Sequence, residues 1–151
     1  MPKVAVAAWC TNMFDQIKRN AVALISLTVA ITSLGYNSWR NEASESNRTQ
    51  RDVAITVLMQ LGELQQVTWH HHYDKDFDDK GNLRSGWTLV LVIKDISQIL
   101  GGGVPESTTR LHQVWTDHSD QLDDSVEAKD AIIEAIEVAR NDAVELLQTL
   151  D

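Results

Sequence analysis

The sequence predicts an all-α chain: a single transmembrane helix followed by a four-helix-bundle-like soluble domain. Three observations carry this. From Ala21 to Tyr36 there is no charge, and most residues are Ala, Val, Leu or Ile. Beyond residue 53, apolar residues recur at steps of three and four, the helical spacing. Turn-forming runs divide that second part into four segments with short connections, a pattern that a bundle satisfies. The chain therefore divides into a short N-terminal segment (1–19), a spanning helix (20–39), a polar stalk or linker (40–52) and an acidic helical bundle (53–151).

In the N-terminal segment, Val4, Ala7 and Ala8 lie near Trp9, and Met13, Phe14 and Ile17 follow at helical spacing. This suits an amphipathic helix in the membrane interface, or an extension of the spanning helix. The segment is too short to be an output domain. The one cysteine, Cys10, lies here, so no intrachain disulfide forms. That is compatible with a cytosolic or a periplasmic domain. Trp9 stands where a lipoprotein processing site needs a small residue.

A spanning helix needs about 20 largely apolar residues. The charge-free core here is somewhat shorter and includes Thr28, Thr32 and Ser33, whose hydroxyls can bond back to backbone carbonyls. Lys18 and Arg19 suit one interface, Tyr36 and Trp39 the other. A cleaved signal peptide is the competing reading, since Ser33-Leu34-Gly35 has a small-x-small form. The long leader before Arg19, which includes Asp15, argues against it. Because Lys18 and Arg19 sit tight against the span, the positive-inside rule places the N-terminus in the cytoplasm. In a bacterial inner membrane the C-terminal domain would then be periplasmic. Along the span Ala23, Ser26, Ala30 and Ser33 form a small-residue stripe, the type of face on which membrane helices associate.

The stretch 40–52 is polar all round and unbroken by Gly or Pro, so it continues the helix as a stalk or frays into a linker. In 53–72, Ala54, Val57, Leu58, Leu61, Leu64, Thr68 and His71 fall on one face. The acidic run Asp74–Asn82 ends this helix. Residues 86–100 could pass for a strand at Trp87–Ile93, but Leu89, Val92, Ile93, Ile96, Ile99 and Leu100 continue helical spacing, with Ser85 as the expected N-cap. Lys94 and Asp95 exclude a second span. Gly101-Gly102-Gly103 stops that helix and Pro105 restarts the next, over 105–122, with Leu111, Val114, Trp115, His118 and Leu122 inward. Asp124, with Glu127 three positions on, is the expected cap of the last helix. Ile132, Ile136, Ala139, Ala143, Leu146 and Leu150 form its stripe.

Charge narrows the partners. Residues 1–100 hold ten basic and ten acidic side chains, so the net −9 falls wholly on residues 101–151. That surface repels phosphate, which excludes nucleic acid as a partner and holds the distal domain off anionic lipid.

Few patterns point to chemistry. His70-His71-His72, with His118, supplies imidazoles of the type that bind zinc, copper or nickel. Adjacent helical residues point about 100° apart, so three in a row cannot converge on one ion. A site would have to be assembled across helices from His71, His72 and His118. Hydrogen-bonded core or rim histidines are the plainer reading. The Asp74–Asn82 loop fails as a calcium loop in both frames, because Trp87 or Ser85 occupies the twelfth position. There is no Gly-x-Ser-x-Gly elbow, and no Lys-Ser/Thr follows the triple glycine, so neither a nucleophile nor a phosphate loop is indicated. Trp69, Trp87 and Trp115, one per helix, suit a shared core, and a partly exposed one would suit a partner.

The resulting expectation is a non-enzymatic interaction or assembly module without a cofactor. It would be a subunit or accessory protein of a membrane complex that associates with itself or another membrane protein. The alternative is a periplasmic bundle that senses a metal such as zinc, or a small ligand.

Overall fold

A computed structural model describes residues 3–150, and the side chains of residues 19–42 and 44–150. It is all-helical, with no strand among the described residues. Four α-helices follow in order: α1 (Lys3–Trp69), α2 (Leu83–Ser97), α3 (Val104–His118) and α4 (Val126–Thr149). A π-helical turn, His70–Asp74, follows α1, and a 3-10 turn, Ser119–Gln121, follows α3. The chain forms two compact units, Met1–Glu45 and Ser46–Asp151.

The first unit is the N-terminal part of α1. By length and composition, α1 is the one helix among the described residues that is long and apolar enough to cross a membrane. None of its most apolar window is buried. Thr28 and Thr32 donate their hydroxyls to the Leu24 and Thr28 carbonyls at 2.8 Å, so each satisfies itself within the helix. The stripe Ala23, Ser26, Ala30 and Ser33 is exposed. Helix begins at Lys3, but the side chains of Cys10 and of the apolar series from Val4 to Ile17 lie outside the described ones.

The second unit is a four-helix assembly around one core. Val57, Leu61 and Leu64 of α1 meet Val90 and Ile93 of α2, Leu111 and Trp115 of α3, and Ile132 and Ile136 of α4. Each of these side chains is at most 1% exposed. Burying one large aliphatic side chain contributes about 1.5–3 kcal/mol. The unit also takes in residues read as stalk. Gln50 Oε1 accepts from Gly101 N at 3.3 Å, and Arg51 donates to the Leu150 carbonyl at 2.9 Å. The polar stretch 40–52 is helical throughout.

Two boundaries and one buried face differ from the sequence reading, each for a local reason. Helix α2 starts earlier, capped by Asn82 rather than Ser85. Asn82 has an extended backbone, and its side chain accepts from Arg84 N at 2.8 Å. The core face of α2 is Gly86, Val90, Ile93 and Ser97, while Val92 and Ile99 are 40% and 58% exposed. The segment is apolar on several sides, so two helical series can be drawn through it. Gly86 decides between them, because a Cβ there would lie 2.3 Å from the Trp115 ring. Only glycine lets α3 approach so closely. Helix α4 is capped by Ser125, not Asp124: its Oγ accepts from Ala128 N at 3.0 Å, and donates to Glu127 at 3.2 Å.

Buried polar groups between α2 and α3 are paired. The Ser97 and Thr108 hydroxyls lie 2.6 Å apart, and each also bonds a carbonyl of its own helix. Trp115 Nε1 and Ser119 Oγ are the buried side-chain atoms among the described residues without a partner.

Candidate functional site

The histidines gather where α1 ends. The helix widens into the π turn His70–Asp74, and Lys75 closes it in the left-handed conformation, φ 53°, its N–H donating to the His70 carbonyl. Left-handed closure is a usual helix C-terminus, but a non-glycine residue there carries strain. The Lys75 side chain is engaged: it donates to the Asp123 carbonyl and lies 3.9 Å from the Asp124 carboxylate. The loop then folds back. Gly81 is buried, and a Cβ there would lie 2.1 Å from the Asp76 carbonyl and 2.5 Å from His71 N. Glycine is what lets residues 76–81 close over the π turn.

Each histidine of the run holds a different neighbour. His70 Nδ1 lies 2.6 Å from the Asp74 carboxylate, one turn on. His71 is 6% exposed, and its Nδ1 donates to the Gly81 carbonyl at 2.7 Å. His72 Nδ1 donates to the Leu122 carbonyl at 2.7 Å. A carbonyl only accepts, so in His71 and His72 the hydrogen is on Nδ1. Metal-ligating histidines make the same outer bond. His118 is half-buried in the last turn of α3. The structure does not bring His71, His72 and His118 together as a ligand set. Among the described residues no group of three or more His, Cys, Asp or Glu side chains is placed to hold a metal ion. The histidines act as clasps, tying the end of α1 to the loop before α2 and to the turn before α4.

An open cavity of about 540 Å³ lies at this corner, lined in part by His71, Phe77, Arg84, Asp120 and Asp123. Phe77 meets the His71 ring edge-on at 4.8 Å between centroids, and is 48% exposed. Asp76 accepts from the backbone N–H groups of Asp79 and Lys80, both at 3.1 Å. These bonds, the Asp79 one foremost, hold its carboxyl below the ordinary aspartate range. Lys129 is held above the ordinary lysine range, first by its 2.6 Å contact with Asp130 and next by the Tyr73 hydroxyl. This is the electrostatics of an Asx turn and surface ion pairs. No nucleophile and base are paired here.

The larger exposed feature is apolar. Val22 is 74% exposed, Leu34 73% and Trp39 68%, with Leu24, Ile25, Leu27, Val29 and Ile31 all above half. The Tyr36 and Trp39 rings lie 6.3 Å apart near the end of this stretch. In the bundle, Trp115 is fully buried, whereas Trp69 is 46% exposed on the outer side of α1. Residues the sequence reading did not single out are Lys75, Gly81 and the Leu122 carbonyl. The Gly81 and Leu122 carbonyls act through the backbone, which leaves no signature in residue type, and the Lys75 side chain reaches the Asp123 carbonyl 48 residues on.

No family model, curated protein or solved structure matches the chain.

Proposed function

We propose that the chain is a membrane-anchored helical interaction module, a subunit or accessory protein of a membrane complex. The observation that carries this reading is the contrast within α1. Its segment from Val22 to Trp39 has large apolar side chains exposed all round, while in its later part Val57, Leu61 and Leu64 are fully buried. A helix apolar on every side needs an apolar surrounding, and a bilayer supplies one. Internally bonded Thr28 and Thr32, and the Tyr36–Trp39 pair at one end, fit that setting. In the bundle, His70, His71 and His72 are engaged in bonds that hold helix and loop together.

The basic residues before the span favour a cytoplasmic N-terminus and, in a bacterial inner membrane, a periplasmic bundle. Association through the span uses the stripe Ala23, Ser26, Ala30 and Ser33, which lets backbones approach closely. The test is the size of the complex extracted gently from its own membrane. Changing Ala30 and Ser33 together to Leu should reduce that size. A complex of unchanged size rules out association through this stripe.

A further inference from the structure

The cavity at the histidine corner is assembled from four short segments. The π turn after α1 brings His71, and the loop that follows brings Phe77 and Asp78. The first turn of α2 brings Arg84, and the connection from α3 to α4 brings Asp120 and Asp123. Its volume, about 540 Å³, falls in the range of small-molecule sites. All of it lies in the second compact unit, so the site does not depend on α1 spanning a membrane.

Two features point to an occupant. The first is His71, which is 6% exposed and donates its Nδ1–H to the Gly81 carbonyl. Nε2 therefore carries the lone pair. No described residue bonds Nε2, yet it is not among the sealed atoms without a partner, which are Trp115 Nε1 and Ser119 Oγ. It opens instead to the cavity that His71 lines, as an acceptor in want of a donor. The second feature is unpaired charge of both signs. Among the described residues Arg84 forms no ion pair, and neither do the carboxylates of Asp78, Asp120 and Asp123. Lys75 turns to the Asp123 carbonyl and the Asp124 carboxylate. The first turn of α2 holds no acidic residue, so Arg84 adds to the positive end of that helix rather than offsetting it.

We propose that this cavity binds a small zwitterion, a free α-amino acid. Its ammonium donates to His71 Nε2 and to the carboxylates of Asp120 and Asp123. Its carboxylate takes the Arg84 guanidinium, whose fork matches two oxygens, at the N-terminal end of α2. Phe77, packed edge-on to His71 and 48% exposed, offers an apolar surface to the ligand's side chain. A plain amine would leave Arg84 unanswered. A plain carboxylate would leave the imidazole and the aspartates unanswered, and the acidic charge of residues 101–151 would repel it. A metal ion fits less well, because no three His, Cys, Asp or Glu side chains among the described residues are placed to hold one.

The experiment is calorimetric titration of the full chain in detergent with each of the common α-amino acids. At least one should bind one-to-one, in the micromolar to millimolar range that suits an open site. Its methyl ester lacks the carboxylate charge and its N-acetyl form lacks the ammonium. Each should bind at least about tenfold more weakly, the loss of one charge-assisted contact. Arg84→Gln should weaken the free amino acid by a similar factor, as should Asp120→Asn combined with Asp123→Asn. Glu145→Gln, an exposed carboxylate of α4 away from the cavity, should leave the affinity unchanged. Arg84 and Asp120 are exposed, so these variants keep the bundle's melting transition, whereas His71→Ala would open the Gly81 clasp. The site is overturned if none of the amino acids binds at millimolar concentration, by heat or by a shift of that transition. An equal loss from Glu145→Gln overturns it as well, by reducing the effect to net charge. An ester that binds as tightly as the free acid overturns the zwitterion.

Discussion

Within α1, the stretch from Ala21 to Trp39 and the stretch from Ala54 to Thr68 are both rich in aliphatic side chains, yet they meet different surroundings. In the first, Val22, Leu24, Ile25 and Leu27 point in successive directions, and each is more than half exposed. In the second, Ala54, Val57, Leu61, Leu64 and Thr68 are fully buried, while Thr56, Glu63 and Gln66 face outward. The angular spread of apolar residues, not their number, separates the two. Apart from Ile55 and Met59 on its outer side, the second stretch is a one-sided stripe that three neighbouring helices satisfy, and an all-round coat is not so satisfied.

The comparison breaks most sharply with a pair of truncations. Leu61→Ala removes a fully buried side chain and should cost the bundle about 2–5 kcal/mol. The chemically identical Leu27→Ala, at a side chain 57% exposed, should leave the bundle's melting transition unmoved. Calorimetry in detergent reads both, and a comparable shift for Leu27→Ala would end the distinction. The opposite variant is Leu27→Arg. A charge at the centre of a spanning helix costs about 2.5–3.5 kcal/mol in insertion. Resistance to carbonate extraction should fall while the bundle still melts as before. Full retention of Leu27→Arg in the membrane fraction would argue that this stretch does not span.

Glycine substitutions come next. Gly86→Ala drives a methyl into the Trp115 ring, and overpacking of that kind costs about 1–3 kcal/mol. At Gly62, where a Cβ meets nothing, Ala should be neutral or slightly stabilising, because glycine is the poorer helix former. Chemical denaturation of the two variants checks the sign at each site. Ser125→Ala, which removes the N-cap bond to Ala128, should cost about 1 kcal/mol.

The helices were legible because each carries a periodic stripe between strong stop signals. Ala54, Val57, Leu61, Leu64 and Thr68 were placed inward by spacing alone, as were Ile132, Ile136 and Ala139 in α4, and all are buried. Legibility failed where the pattern was degenerate. The run from Trp87 to Ile93 is apolar in too many directions for spacing to choose a face, and Gly86 against Trp115 chose it instead. Caps failed for a related reason. Asn82, Ser85, Asp124 and Ser125 are all good capping residues, and only backbone geometry selects among neighbours. The histidine corner was visible as three adjacent imidazoles. The partners of His71 and His72, the Gly81 and Leu122 carbonyls, lie ten and fifty residues away, and the sequence marks neither as an acceptor.

The smallest effect expected is a titration, and it sharpens the comparison from the polar side. Asp76 takes backbone N–H bonds from Asp79 and Lys80, and its folded carboxyl is held below the ordinary aspartate range. A group depressed in the folded state stabilises fully above its unfolded value. That contribution is lost as pH falls through the folded value, so the window opens below about pH 4. The Asp79 and Lys80 amides should lose protection from hydrogen exchange there, and Asp76→Asn, which cannot ionise, should remove the pH dependence. Amide exchange followed residue by residue makes the measurement, and a wild-type profile that stays flat in acid would discard this account of the turn. Between Ala21 and Trp39 there is no Asp, Glu, His, Lys or Arg. The apolar stretch has nothing to answer acid with. Any loss of membrane association in the same window must therefore enter through groups outside it, and the bundle's surface carboxylates are where to look.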